Sequence, residues 1–179
     1  SDGKVSQKTD DGAELVVAPN DPRISYHDGR FFHSNGPDGL ETRFDWINSQ
    51  ISLTFSGSAS VSALLQSRAV FNIVVDGGAP QVLACNASTR YVVASGLDAA
   101  RHNVTLALRT EAKVSNRTTP LSATPTRFRG FVLDAGATVL ATTPEYKGRM
   151  VVVGDSITAG WGNTNTCCGQ PGARSAPCG

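Results

Sequence analysis

The residues best placed to do chemistry are Gly154-Asp155-Ser156-Ile157-Thr158, which follow the apolar run Arg149-Met150-Val151-Val152-Val153. Such a run reads as a strand buried on both faces of a parallel sheet. A serine at the carboxyl end of that strand, just ahead of a helix, lies where α/β sheets place their ligands. Its backbone N–H would stand at a helix N-terminus, where unpaired donors and the dipole favour an oxyanion. Ser156 is therefore the candidate nucleophile and oxyanion donor, with Asp155 in support. The plainer reading, in which Asp155 or Ser156 only caps a helix, leaves the preceding Val run and the following Ala159-Gly160 unexplained. The block is not a Gly-x-Ser-x-Gly elbow, because Thr158 stands where the second glycine belongs.

A serine nucleophile needs a base, and the three histidines are poor candidates. His27, His33 and His102 all precede Ser156 and fall in a strand-rich region, where a solvated or locally hydrogen-bonded role is the default. None is assigned to catalysis. Two roles stay open for Trp161: stacking on a sugar ring, or packing the loop after the first helical turn. Trp46 is expected in a strand and in the core. Four cysteines are present, Cys85, Cys167, Cys168 and Cys178. Adjacent cysteines fit no metal-knuckle spacing, so no metal site is expected and disulfides in an oxidising compartment are. A bond between neighbours is strained, which leaves 85–167 with 168–178, 85–168 with 167–178, or pairing outside the chain. Asn86, Asn103 and Asn116 open three glycosylation sequons, each without proline at the second position. Together these point to a secreted glycoprotein carrying N-linked glycans.

Composition narrows the classes further. The chain has 179 residues, 40% hydrophobic and 17% charged, so a core can form. Sixteen Lys and Arg against fifteen Asp and Glu give a formal charge of +1, without the basic excess of a nucleic-acid-binding module. No apolar run approaches the ~18 residues of a membrane helix. An opening Ser1-Asp2-Gly3, without Met, is expected of a processed or trimmed chain.

The elements that must position the serine are mostly short strands. Alternation places strands at 50–56, at 69–75 with Phe71, Ile73 and Val75 on one face, and at 102–109 with Val104, Leu106 and Leu108 inward. Further strands are expected at 91–93 and 128–134. Segments 23–26 and 30–33 flank His27-Asp28-Gly29, a hairpin signal. This spacing predicts a mainly β chain, an antiparallel sandwich. Thr118 to Thr126 reads as a Pro/Ser/Thr loop. The division that follows is an extension over 1–20, the sandwich over 21–142, a linker over 143–148, and over 149–179 the first strand and helix start of an incomplete α/β domain. Three valines in strand 149–153 need cover from the sandwich, the tail, a missing C-terminal half or another chain.

Gly154-Asp155-Ser156-Ile157-Thr158 resembles the first block of the SGNH (GDSL) hydrolases. The upstream chain resembles the jelly-roll-like β-sandwich that precedes the catalytic domain in carbohydrate esterase family 2. The matching stretches are Gly29-Arg30-Phe31, Phe44-Asp45-Trp46, 51–57, Val74-Val75-Asp76-Gly77, 97–102, Leu108-Arg109-Thr110-Glu111 and 128–134, with Trp161-Gly162-Asn163 downstream. The resemblance implies an acetylesterase acting on polysaccharides such as xylan and mannan, with no metal or organic cofactor. It implies that Ser156 attacks the acetyl carbonyl, and that the histidine base and the other oxyanion donors come from later blocks. On that basis residues 1–179 alone are expected to be inactive. The second reading is a non-catalytic extracellular structural or carbohydrate-binding glycoprotein built on the same architecture.

Overall fold

A computed structural model describes residues 13–110, 125–142, 153 and 154. Among these residues there are twelve strands and no helix. In chain order they are β1 (Leu15–Val17), β2 (Ser25–His27), β3 (Phe32–Gly36), β4 (Gly39–Phe44), β5 (Gln50–Ser56) and β6 (Ser60–Gln66), then β7 (Val70–Val75), β8 (Gln81–Ala84), β9 (Ser88–Ser95), β10 (Arg101–Leu108), β11 (Thr126–Leu133) and β12 (Thr138–Leu140). They form two antiparallel sheets, each a five-strand path with one short strand added. The first runs β3-β4-β11-β6-β9, with β1 also on β11; the second runs β12-β5-β10-β7-β8, with β2 also on β5. The expected antiparallel sandwich is what the chain forms.

The second sheet follows directly from alternation. Ile51, Leu53 and Phe55 of β5 are fully buried, as are Phe71 of β7 and Val104 of β10, with Ile73, Leu106 and Leu108 nearly so. The outward residues of β5 and β10 are small and polar, and they satisfy one another. The Ser52 and Thr105 hydroxyls are 2.8 Å apart. Asn103 Nδ2 donates to Thr54 Oγ1 at 3.0 Å, and Thr142 Oγ1 accepts the Thr54 backbone N–H at 2.9 Å. That last bond holds the end of the sandwich segment against β5, 88 residues upstream.

The first sheet needs a break in the alternation. Phe128 and Phe131 of β11 both have no solvent exposure, although an odd spacing would send them to opposite faces of a regular strand. A bulge between Phe128 and Gly130 in the pairing with β6 resolves this. Arg129 is the extra residue, and the two rings stack edge to face at 4.9 Å. Gly130 makes the bulge possible. Its φ is +124°, and a Cβ there would stand 2.3 Å from the Val17 carbonyl oxygen. At the end of β11, the Asp134 carboxylate accepts the backbone N–H groups of Ala59 (2.7 Å) and Ser60 (3.1 Å), tying the β5–β6 turn to the sheet. The Ser60 hydroxyl bond, with these backbone bonds, holds that carboxyl below its ordinary pKa.

Two expectations about local structure are corrected. Asp28 does adopt the left-handed conformation, with φ +58°, but no hairpin forms around it. β2 pairs with β5 in the second sheet and β3 pairs with β4 in the first, so Asp28-Gly29 carries the chain between sheets. The hairpin of this region lies one strand later, where Gly36 and Gly39 pair across Pro37-Asp38. Trp46 is not in the core. It follows the end of β4, in a turn, and is 51% exposed.

Candidate functional site

The serine block falls at the edge of what the structure describes. Asp155, Ser156 and Trp161 lie outside the described residues, as do Asn116, Cys167, Cys168, Cys178 and the expected strand 149–153 apart from its last residue. That residue, Val153, is 93% exposed. Cys85 is a buried free thiol beside the sandwich core. Burial pushes it up to about 11. Asn86 is exposed at the β8–β9 connection, with Tyr91 Oη accepting its backbone N–H at 3.0 Å. Asn103, by contrast, sits within β10, where its amide nitrogen donates to Thr54 Oγ1.

Each histidine is held by a local network. His33 Nδ1 lies 2.8 Å from Thr42 Oγ1, and that hydroxyl contacts Tyr26 Oη at 3.3 Å. Burial raises the Tyr26 phenol well above its usual pKa. His102 stands between two carboxylates, with Nδ1 2.7 Å from Asp76 and Nε2 3.1 Å from Asp98. The Asp76 hydrogen bond is the main reason the imidazole is more basic than usual.

His27 has the outline of a catalytic relay. Its Nδ1 is 3.4 Å from Asp28 Oδ2, and its Nε2 is 3.0 Å from Ser52 Oγ. The chemistry of a nucleophile is absent all the same. Ser52 is 4% exposed and lies mid-strand, with β2 on one side and β10 on the other. A strand inside a ladder offers no backbone N–H pair for an oxyanion, so this constellation stabilises the sheet face.

The outer face of the first sheet carries the strongest charge cluster among the described residues. Strand register puts Phe32, Arg43, Arg127 and Gln66 in one transverse row. Two arginines directly opposite each other repel, and Glu41, almost completely buried, offsets this. Its carboxylate lies 3.3 Å from Arg43 Nε and 3.6 Å from Arg127 Nη1. Both contacts are ion pairs without a hydrogen bond. Gly36 leaves room for that carboxylate, since a Cβ there would stand 2.5 Å from it. Arg129 in turn pairs with Asp38 and reaches Gln66 Oε1 at 3.0 Å.

At one end of this row is a cleft of about 270 Å³, lined by Phe32, Arg43, Phe44, Asp45 and Pro125. Phe32 is 66% exposed. Sequence reasoning missed this cleft, although a signal was there. Adjacent Phe31 and Phe32 on one strand cannot both face the core. Phe31 packs inward on Tyr26 and Phe44, with centroids at 5.0 and 5.4 Å, and Phe32 is left outside.

The two sheets define an antiparallel β-sandwich, and comparison with known proteins makes it specific. Residues 28–143 match the family model of the carbohydrate esterase 2 N-terminal domain, more than half of the chain, and the chain belongs to that family. It is 32% identical to the cellulase/esterase CelE of Acetivibrio thermocellus, over 82% of this chain and 17% of that protein. It is 30% identical to an acetylxylan esterase / glucomannan deacetylase of Cellvibrio japonicus, over 86% of this chain and 35% of that protein. The chain thus spans about a third or less of the length of these relatives. Among solved structures, a family two carbohydrate esterase from Clostridium thermocellum in complex with cellohexaose superposes with a TM-score of 0.60 at 30% identity, covering 80% of this chain and 40% of that one. A family two carbohydrate esterase from Cellvibrio japonicus shares the fold, with a TM-score of 0.65 at 18% identity over 83% of this chain and 41% of that one.

Proposed function

We propose that this chain is the N-terminal part of a secreted polysaccharide O-deacetylase in which Ser156 is the nucleophile. The observation that carries the reading is the family match over 28–143, with Gly154-Asp155-Ser156 after ten intervening residues in the sequence. The Cellvibrio japonicus relative is named for acetylxylan and glucomannan, which supports an acetylated plant-type polysaccharide as substrate. In the reaction, Ser156 Oγ gives its proton to a histidine base and bonds to the acetyl carbon. The sugar oxygen leaves with that proton, and water then releases acetate from the acyl-enzyme. The Ser156 N–H supplies one oxyanion hydrogen bond, with Asp155 beside it and Trp161 in reach of the sugar. The base and the other donors come from beyond residues 1–179, and no metal or organic cofactor takes part. Secretion draws support from the sequons, of which Asn86 is the described one with an exposed side chain. The divisions at residues 142 and 148 belong to the same proposal; at the other end β1 pairs with β11, so residues 15–17 are part of the first sheet and not of an extension.

The test is labelling of the whole protein with a fluorophosphonate probe, followed by peptide mapping. Modification of Ser156, together with acetate release from acetylated xylan or glucomannan that is lost in Ser156→Ala, is the expected result. An intact fold with no labelled serine overturns the esterase reading and leaves a non-catalytic, carbohydrate-binding or structural glycoprotein.

A further inference from the structure

The cleft at the end of the first sheet has the makeup of a ligand site that the acetylesterase chemistry does not use. Phe32, the first residue of β3, offers a largely exposed ring on one wall, and Pro125 lines the cleft with it. An exposed aromatic face beside polar groups is a surface on which a sugar ring can stack. The polar residues of the cleft are one guanidinium, Arg43, and one carboxylate, Asp45. Their charges cancel. The cleft therefore presents donors and an acceptor without a net field, which suits a neutral polyhydroxylated ring better than an anion, a cation or a lipid.

These groups are held in place before any ligand arrives. Arg43 Nη2 donates to Ser34 Oγ at 2.9 Å, and its Nε faces buried Glu41. The turn after Asp45 is closed by Ser49, whose N–H and hydroxyl both bond the Trp46 carbonyl, at 3.0 and 2.6 Å. Asn48 N–H then fastens the turn to Leu108 O at 2.7 Å. The Asp45 side chain is exposed and has no hydrogen bond or ion pair among the described residues. Next to it Trp46 is a second exposed aromatic, with the Arg30 guanidinium 6.0 Å from its ring centroid. A volume of about 270 Å³ is small for a whole ligand and fits a short portion of a longer one.

We propose that the cleft bounded by Phe32, Arg43, Asp45 and Pro125 is a glycan-binding subsite that takes a neutral pyranose ring of a polysaccharide chain. The ring stacks on Phe32, Asp45 accepts from its hydroxyls and Arg43 donates to them. The inference rests on the polysaccharide reading above, and places on the sandwich itself a hold on the polymer. A weak subsite of this kind gains its effect by raising the local concentration of substrate near a second site.

The experiment is titration of the isotopically labelled whole protein with xylohexaose and with mannohexaose, followed by amide NMR shifts. The expected result is saturable shifts at Phe32, Arg43 and Asp45, with affinity reduced about tenfold in Phe32→Ala. Asp45→Asn is expected to weaken binding as well, and both variants to keep the parent thermal midpoint, since both side chains are exposed. Ser156→Ala is expected to bind unchanged. Binding that survives in a protein whose Ser156 does not label keeps the subsite and removes the esterase, and labelling without binding does the reverse. The proposal is overturned if neither sugar shifts the spectrum or if the shifts map elsewhere. Tighter binding of an oligogalacturonate, or Phe32→Ala abolishing self-association instead of sugar binding, also overturns it.

Discussion

The imidazole of His102 bridges the carboxylate of Asp76, 2.7 Å away, to that of Asp98, so that one side chain links the β7–β8 turn, the β9–β10 turn and the start of β10. The bridge titrates from both sides. The Asp76 hydrogen bond, ahead of the Asp98 bond, raises the His102 pKa above its ordinary value. Partial burial pulls the Asp76 carboxyl upward, but the Asn103 backbone N–H and His102 together outweigh it and hold the group low. Asp98 is also held low, first by the Ala100 backbone N–H and then by His102.

The sign of the pH effect follows from those directions. A raised histidine contributes stability that is complete below its unfolded value of about 6.5 and is lost as pH rises through the folded value. Depressed aspartates contribute stability present above about 3.9 and lost as pH falls through their folded values. The bridge is therefore strongest between these limits. Thermal midpoints of the parent and His102→Gln should differ most near pH 5 and converge above the folded histidine pKa. A difference that grows with alkalinity would show that the imidazole acts by packing on Phe55, 6.0 Å away.

Gly130→Ala is expected to be among the most damaging single changes in the sandwich. The new Cβ would meet backbone, the Val17 carbonyl, at 2.3 Å, in a conformation that side chains rarely adopt. Nothing there can yield except the β1–β11 pairing, and a loss of about 3 kcal/mol or more is expected. Gly136→Ala is the control. It also has positive φ, +80°, but nothing lies within 4 Å of its would-be Cβ, so about 1 kcal/mol covers the conformational cost. Urea unfolding of the two variants should separate them clearly; equal losses would mean that close approach at the bulge is not what selects glycine.

How much of this was legible in the sequence depends on the strand. β5, β7 and β10 were readable because their inward residues are large and strictly alternate. β11 was readable as a strand, yet its bulge was not, since only the meeting of Gly130 with Val17 explains it. The misplaced hairpin had a sound local cause. Asp28 takes the conformation that Asp-Gly favours, and the partner strands are then chosen by burial: Tyr26 on β2 and Phe31, just ahead of β3, pack inward side by side. Trp46 was misplaced because size stood in for burial, while the turn after Asp45 puts the ring outside. The serine block was legible as a motif, and the fold around it belongs to residues outside those described.

Cys85 is expected to be chemically quiet. It is 6% exposed, and its burial raises the thiol to about 11, so little thiolate forms at neutral pH. Iodoacetamide at pH 8 should modify it only after denaturation. Mapping after denaturing, non-reducing alkylation separates the remaining cases. An alkylated Cys85 shows a core thiol, and a peptide joined to Cys167 or Cys168 would show that the tail is stapled to the sandwich.

Expressed as residues 1–179, the chain is expected to release no acetate from 4-nitrophenyl acetate above background. A serine hydroxyl without its base is a poor nucleophile at neutral pH, and general-base assistance alone contributes about 10² to 10⁴. Each missing oxyanion donor removes a further factor of roughly 10² to 10³. No histidine of the sandwich is free to substitute. His33 is bound to Thr42, and His102 is held between two carboxylates. His27 faces Ser52, which is buried within a ladder. Turnover is compared between purified monomeric 1–179, Ser156→Ala and Ser52→Ala. Activity lost with Ser156 would mean that a base is already present in this part of the protein. Activity lost with Ser52 instead would mean that the Asp28–His27–Ser52 relay opens far enough to work.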